Sequence, residues 1–206
     1  MPRDARRGSK NPRREPPGRM VTVERDRLEP PPGADFWVFG YGSLIWKPGF
    51  PHIEVRPGLV RGYHRRFCIY SHRYRGTLER PGLVLGLDRG GSCRGLVFRV
   101  PAAEGEAVMD YLYEREMITG VYNPRWLKVG TKQGPVEAAS FVVDRAHCQY
   151  TGELSPKETA QLIKQGEGEM GSGREYLQKT VHHLDALGLG CPRLHQILRL
   201  VDARGD

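Results

Sequence analysis

The order of two hydrophobic patterns along the chain constrains its fold most. Short apolar runs occur up to about residue 100, and apolar residues at helical spacing dominate the last third. Short runs bounded by turn residues are typical of buried strands, whereas apolar residues three and four positions apart share one face of a helix. A chain whose strands come mostly before its helices is typical of α+β proteins.

The individual elements follow from these patterns. Five or six strands are predicted from apolar runs at residues 36–39, 62–70, 83–87, 95–100, 126–129 and 138–143. Helices are predicted from apolar spacing, or from a capping box at Ser155 and Glu158, over residues 104–117, from 155 onward, over 176–187 and over 194–201. We therefore expect an α+β fold built around a curved sheet or small barrel, with a helical C-terminal part.

The basic character of the chain is concentrated at its N-terminal end. The net charge is +8, yet residues 1–19 alone hold seven basic and two acidic side chains. Residues 1–33 are rich in proline and arginine, which predicts a disordered arm followed by one domain over 34–206. No nucleic-acid partner is expected for that domain; weak contacts of the arm with RNA or anionic lipid stay open as an alternative to a solvated arm.

Several classes of protein are disfavoured by what the sequence lacks. No apolar stretch approaches the roughly 18 residues of a membrane span, and the N-terminus has no apolar signal-peptide core, which predicts a cytoplasmic protein. The four cysteines are scattered without a C-x-x-C pair, so neither a metal site nor a redox motif is expected. The neighbouring His182 and His183 would point about 100° apart on a helix, so they do not favour a shared metal.

The segment Gly40-Tyr41-Gly42-Ser43-Leu44 interrupts the first apolar run with a turn. Small residues let the backbone approach a ligand closely, and successive N–H groups can converge on an anion. The segment matches neither a dinucleotide fingerprint nor a Walker loop. From these residues alone, a plain strand-to-turn connection and a loop that binds a carboxylate or an oxyanion both remain open.

Two acidic residues, Glu114 and Glu116, are separated by helical geometry. Glu116 lies about 40° from Leu112 around the helix axis, on the apolar face, whereas Glu114 lies about 160° away. A carboxylate that faces a core is costly unless it is paired or functional. Two interpretations of Glu116 remain open: an internal ion pair with an arginine, and a general base with a raised pKa. Likewise, Arg73 and Arg75 either bind a substrate carboxylate or belong to a solvated loop.

Taken together, these segments resemble the ChaC-type glutathione-specific γ-glutamylcyclotransferase family. The similarity covers roughly residues 36–200, and it is carried by residues 39–46, 75–77, 81–85, 95–100, 115–117, 120–122, 150–152 and 176–184. The resemblance implies a small β-barrel with surrounding helices, matching the elements predicted above. Tyr74 departs from it, because a histidine is expected at that position.

The resemblance also implies an activity and a set of site residues. It implies cleavage of glutathione into 5-oxoproline and Cys-Gly, by attack of the γ-glutamyl α-amine on its own side-chain carbonyl, with no metal or organic cofactor. It assigns Glu116 as the catalytic acid/base, and it assigns substrate binding to Tyr41, Gly42, Ser43, Leu44, Arg75, Tyr122 and Tyr150. Two alternatives stay open: the same chemistry on other γ-glutamyl amines or amino acids, and a non-catalytic regulator of cation transport.

Overall fold

A closed five-stranded β-barrel forms the centre of the molecule. The computed structural model describes residues 27–203. The barrel strands are β1 (Phe36–Gly40), β2 (Glu54–Ser71), β3 (Gly82–Val100), β4 (Tyr122–Thr131) and β5 (Gly134–Val143). They are ordered β1-β3-β2-β4-β5, and a parallel pairing of β5 with β1 closes the barrel. The predicted α+β fold with a small barrel is confirmed.

Helices and one small hairpin surround the barrel. The α-helices are α1 (Gly105–Glu116), α2 (Pro156–Gln165), α3 (Gly173–Ala186) and α4 (Pro192–Asp202), and the two-residue strands β6 (Glu167–Gly168) and β7 (Gly171–Ser172) form the hairpin. Short 3₁₀ turns cover Ser43–Ile45 and Ala102–Glu104. The predicted capping box is present, since Ser155 Oγ accepts from the Glu158 N–H at 3.2 Å and Glu158 accepts from the Ser155 N–H at 2.8 Å.

The prediction of two separate strands over 83–87 and 95–100 was wrong. Both belong to the single 19-residue strand β3, which pairs with the 18-residue strand β2. The polar, glycine-rich middle of β3 shows no apolar pattern, because much of it is exposed. A register shift at Gly62, whose φ of 83° favours glycine, lies along this long pair, as expected where a strand bends to close a barrel.

Two groups of buried apolar side chains stabilise the fold. One group contains strand residues together with the apolar faces of the four helices, including Val108, Met109 and Leu112 of α1. The other contains residues of the five barrel strands and the turn after β1, including Phe39 and Val97. Because successive side chains of a strand point to opposite faces, both faces of the barrel wall are covered.

The N-terminal arm predicted over residues 1–33 falls largely outside the described residues. The part that is described, 27–33, contacts α1. Arg27 pairs with Asp110, and the Leu28 N–H donates to the Tyr113 hydroxyl at 2.6 Å. The end of the predicted arm therefore packs on the helix that carries Glu116.

Nested truncations would separate the two parts of this arm. Deleting residues 1–26 should leave activity and melting temperature nearly unchanged, because the charge pattern predicts a solvated segment. Deleting 1–33 also removes the Leu28 contacts, so we expect the melting temperature to fall by a few degrees, since about 1 kcal/mol corresponds to about 2–4 °C in a chain of this size. Calorimetry and product assays measure both. A tenfold loss of activity in the shorter deletion would contradict the prediction.

Candidate active site

A cavity of about 700 Å³ opens at one end of the barrel. Its wall is formed by the turn after β1, the end of α1, the loop between β2 and β3, and residues of the β6–β7 hairpin and α3. Of the eight residues proposed for the site, the structure brings seven together around this cavity: Tyr41, Gly42, Ser43, Leu44, Arg75, Glu116 and Tyr122. Cavities of this size suit a small molecule such as a short peptide.

The turn after β1 presents backbone donors. Its shape is set by hydrogen bonds from the Ile45 N–H to the Gly42 carbonyl and from the Lys47 N–H to the Ser43 carbonyl, both at 2.9 Å. Among the described residues, the N–H groups of Gly42, Ser43 and Leu44 find no backbone acceptor. Free N–H groups at the start of a short helical turn favour a negatively charged ligand. The structure therefore supports the anion-binding interpretation of this segment.

Glu116 is the last residue of α1, and its side chain lies in the cavity wall with 17% of its surface exposed. Glu114 is exposed, as the helical phase predicted. Burial raises the pKa of Glu116 above its usual value, and the charge and hydrogen bond of Arg115 offset part of this rise. A carboxyl group with a raised pKa in a cavity is suited to both accepting and returning a proton.

Arg115 connects Glu116 to the turn after β1. Its Nε lies 3.1 Å from Glu116 Oε1, and its Nη2 donates to Ser43 Oγ at 2.8 Å. Its Nη1 donates to the Lys47 carbonyl at 2.7 Å. One side chain thus fixes the distance between the carboxylate and the free N–H groups. The sequence suggested an arginine as a partner of Glu116 but not this bridge.

Three tyrosine hydroxyls surround the same space. The Tyr122 hydroxyl donates to the Leu85 carbonyl at 2.9 Å, and the Tyr41 hydroxyl donates to the Phe141 carbonyl at 3.1 Å. Burial and the charge of Glu116 raise the pKa of Tyr176 to about 12, and burial raises the pKa of Tyr41 and Tyr122 as well. All three phenols therefore stay protonated near neutral pH. Sequence reasoning did not assign Tyr176, because nothing local links it to the turn.

Arg75 is held over the cavity by its surroundings. Its Nη1 donates to the Met170 carbonyl, and its guanidinium lies 5.0 Å from the centre of the Tyr176 ring. A Cβ atom at Gly82 or Gly166 would collide with the Arg75 carbonyl oxygen, so both positions need glycine for this close approach. Among the described residues Arg75 forms no ion pair, although the charge of Glu175 acts on it.

Tyr150 lies apart from the other seven residues. It does not line the cavity, and its hydroxyl donates to Asp88 Oδ2 at 3.0 Å. Asp88 is fully buried and also pairs with Arg66 and Arg145. The structure thus shows Tyr150 in a polar network of the barrel wall and gives no support to its assignment to substrate binding.

Two further properties of the described residues bear on cofactors and membranes. Within residues 27–203, no three His, Cys, Asp or Glu side chains gather in a way that could hold a metal ion. In the same part of the chain, no helix combines the length and the apolar character needed to cross a bilayer.

A partly buried carboxylate and backbone N–H groups without a backbone acceptor line one cavity at the end of a closed barrel, an arrangement typical of an enzyme site for a small polar molecule. Comparison with known proteins agrees with this class. A family model described as ChaC-like protein matches residues 36–204. The glutathione-specific γ-glutamylcyclotransferase of Escherichia coli K12 is 36% identical over 163 residues, covering 79% of this chain and 71% of that protein. The glutathione-specific γ-glutamylcyclotransferase 1 of Danio rerio is 34% identical, covering 77% and 82%.

The chain belongs to the ChaC-like family. This confirms the family resemblance inferred from the sequence. Among solved structures, the yeast γ-glutamyl cyclotransferase specific to glutathione superposes with a TM-score of 0.74 at 23% identity, covering 82% of this chain and 98% of that one. At 23% identity, the superposition shows that the two proteins share a fold.

Proposed function

We propose that this protein is a cytoplasmic γ-glutamylcyclotransferase that cleaves glutathione to 5-oxoproline and Cys-Gly, with Glu116 as acid/base. The observation that carries the proposal is the juxtaposition of Glu116 with the free N–H groups of Gly42, Ser43 and Leu44. The names of the relatives in Escherichia coli and Danio rerio support glutathione as the substrate.

The reaction needs little from the protein beyond positioning and proton transfer. The α-amine of the γ-glutamyl group attacks the γ-carbonyl carbon, closing a five-membered ring, and the bond to the cysteine nitrogen breaks. No water is consumed, and the two products together contain all atoms of glutathione. Because the nucleophile and the carbonyl belong to one molecule, much of the entropic cost of bringing them together is already met by the substrate.

Glu116 supplies the proton transfers in this scheme. The α-amine is protonated near neutral pH, so a base must remove a proton before attack. Glu116 accepts that proton and returns one to the leaving amine of Cys-Gly. A raised pKa brings the carboxyl closer to that of the amine it deprotonates, which makes both transfers easier.

The turn after β1 stabilises the charge that develops on the carbonyl oxygen. Backbone N–H groups that are already aimed at an oxyanion cost no reorganisation during the reaction, and losing one such donor typically costs about 10²–10³-fold in rate. Ser43 is held by Arg115, so these donors keep a defined position relative to Glu116.

The test is direct detection of both products. Purified protein is incubated with glutathione, and 5-oxoproline and Cys-Gly are measured by mass spectrometry, with γ-glutamyl amino acids and γ-glutamyl-lysine as competing substrates and a chelator in a parallel reaction. We expect equal amounts of the two products from glutathione, and no effect of the chelator. Faster release of 5-oxoproline from another γ-glutamyl compound would make that compound the preferred substrate in place of glutathione. No release from any of them would refute the proposal.

The charged side chains that line the cavity suggest where each of the two carboxylates of glutathione binds. Of the cationic side chains in its wall, three already pair with carboxylates: Arg73 with Glu169 at 2.8 Å, Arg115 with Glu116 at 3.1 Å and Lys179 with Glu175 at 2.6 Å. Lys47 and Arg75 form no ion pair with a described residue, and glutathione has two carboxylates. We assign the half-buried Arg75 to the γ-glutamyl carboxylate and the exposed Lys47 to the glycine carboxylate.

Lys47→Gln tests this assignment with two substrates. We expect KM for glutathione to rise about two- to fivefold, the range of an exposed ion pair, with kcat nearly unchanged. KM for the glycine ethyl ester of glutathione should not change, because that substrate lacks the carboxylate. Lys128→Gln, an exposed lysine on β4, is the matched control. Equal rises in KM for acid and ester would show that Lys47 acts on something other than the glycine carboxylate.

A further inference from the structure

A second concavity lies away from the cavity just described and shares no lining residue with it. It has a volume of about 290 Å³. Four arginines contribute to its wall: Arg66 from β2, Arg89 from β3, Arg145 from the segment after β5 and Arg193 from the first turn of α4. We call this concavity the arginine cleft.

Two of these arginines are fixed in place by one carboxylate. Asp88 is fully buried, and its Oδ2 lies 3.2 Å from Arg66 Nη1 while its Oδ1 lies 2.6 Å from Arg145 Nε. The Tyr150 hydroxyl also donates to Oδ2, and Arg66 donates to the Gly152 carbonyl. Burial alone would raise the pKa of Asp88, but hydrogen bonds from Arg145 and Tyr150 outweigh it and lower the pKa, so Asp88 is ionised. The single carboxylate of Asp88 therefore fixes the positions of two guanidinium groups, those of Arg66 and Arg145.

The other two arginines have no partner among the described residues. Neither the Arg89 nor the Arg193 side chain forms an ion pair or a side-chain hydrogen bond there. The cleft has one acid of its own, Glu153, which lies within 4.0 Å of no described cation. Four guanidinium groups thus face two carboxylates, Asp88 and Glu153, which leaves the cleft with a net positive charge.

The position of Arg193 adds to this positive potential. It lies in the first turn of α4, and the N-cap residue Cys191 contributes no side-chain hydrogen bond to the helix start. The start of a helix carries partial positive charge, which favours an anion nearby. Guanidinium groups match the geometry of phosphate oxygens with paired N–H donors, and they are weakly hydrated compared with ammonium groups.

We propose that the arginine cleft binds a small soluble anion that carries phosphate, of the size of inorganic phosphate or a diphosphate group. A volume of about 290 Å³ is sufficient for an anion of this size. Arg66 and Arg145 provide a preorganised floor, since Asp88 already fixes their orientation. Arg89 and Arg193 provide the charges that the ligand neutralises. The site does not depend on the chemistry at Glu116.

Titration calorimetry of the full chain with inorganic phosphate and with pyrophosphate, at low ionic strength, tests the proposal. We expect saturable binding, tighter for pyrophosphate, that weakens as chloride is added. The double variant Arg89→Ala/Arg193→Ala should weaken pyrophosphate binding at least about tenfold, because the anion loses the charge-assisted hydrogen bonds of two guanidinium groups. The matched control Arg125→Ala/Arg199→Ala removes two exposed arginines outside the cleft and should change binding less than about twofold.

Three results would overturn the proposal. The first is no binding of either anion at millimolar concentration, and the second is an equal loss in both double variants, which would indicate diffuse surface charge. The third is binding to vesicles that contain phosphatidic acid without binding to soluble pyrophosphate, which would make the ligand a membrane surface. Melting curves of both double variants check folding, and Arg89→Lys/Arg193→Lys keeps the charge while removing the paired donors, so it should bind with intermediate affinity.

Discussion

Glu116→Gln should lower the formation of 5-oxoproline from glutathione by about 10²- to 10⁴-fold, the range expected when a general acid–base group is removed. Glutamine keeps the shape of the side chain but cannot accept the proton of the α-amine. The measurement is the single-turnover rate at neutral pH with saturating glutathione. Glu114→Gln is the matched control, because Glu114 lies two residues away on the same helix and is exposed. Its rate should stay within about twofold of the parent protein.

The stability of Glu116→Gln separates a catalytic role from a structural one. The pKa of Glu116 is raised in the folded protein, so ionising this group disfavours folding as the pH rises through that pKa. A neutral amide avoids this cost, and we expect the melting temperature near neutral pH to be equal to or above that of the parent protein. Loss of folding would instead indicate that the ion pair with Arg115 holds α1 to the barrel. Mild and equal effects of both substitutions on the rate would mean that Glu116 is not the acid/base.

Arg115→Gln should have the second largest effect, a fall in kcat/KM on the order of 10–10²-fold. Arg115 joins Glu116 to Ser43 and to the Lys47 carbonyl, so its loss lets the carboxylate and the turn move relative to each other. Misplacement of reacting groups by about 1 Å can cost on the order of 10²-fold in rate. Arg174→Gln, which removes an exposed ion pair with Asp202 and does not line the cavity, is the control and should change kcat/KM little.

The pH profile shows whether Arg115 also acts on the carboxyl group itself. Arg115 lowers the pKa of Glu116 against the effect of burial, so without it the pKa rises further. Because the base must be deprotonated to act, the acidic limb of the kcat/KM profile should move to higher pH in Arg115→Gln. A loss of rate with an unmoved acidic limb would show that Arg115 only positions the turn.

Local patterns predicted much of this structure. The apolar spacing of α1 predicted that Glu116 faces inward and Glu114 outward, because helical phase depends only on residues within a few turns. The capping box at Ser155 was equally local and is present. The polar centre of β3 was missed because its strand conformation depends on long-range pairing with β2. No local pattern in residues 88–94 predicts that pairing. The β6–β7 hairpin was missed because strands of two residues are too short to show an alternation of apolar and polar side chains.

The amino-acid sequence by itself determined the α+β class, the order of most elements, the family and seven of the residues that line the cavity, because these rest on short-range periodicity and on motifs a few residues long. Only the tertiary structure decided which long-range partners these residues have. Arg115 meets Ser43 across 72 positions, and Asp88 gathers Arg66, Arg145 and Tyr150 from separate segments. Such pairings depend on how the barrel closes, which strand register and packing determine and no local pattern encodes. For that reason the sequence did not indicate that Tyr150 contacts Asp88, beside the arginine cleft.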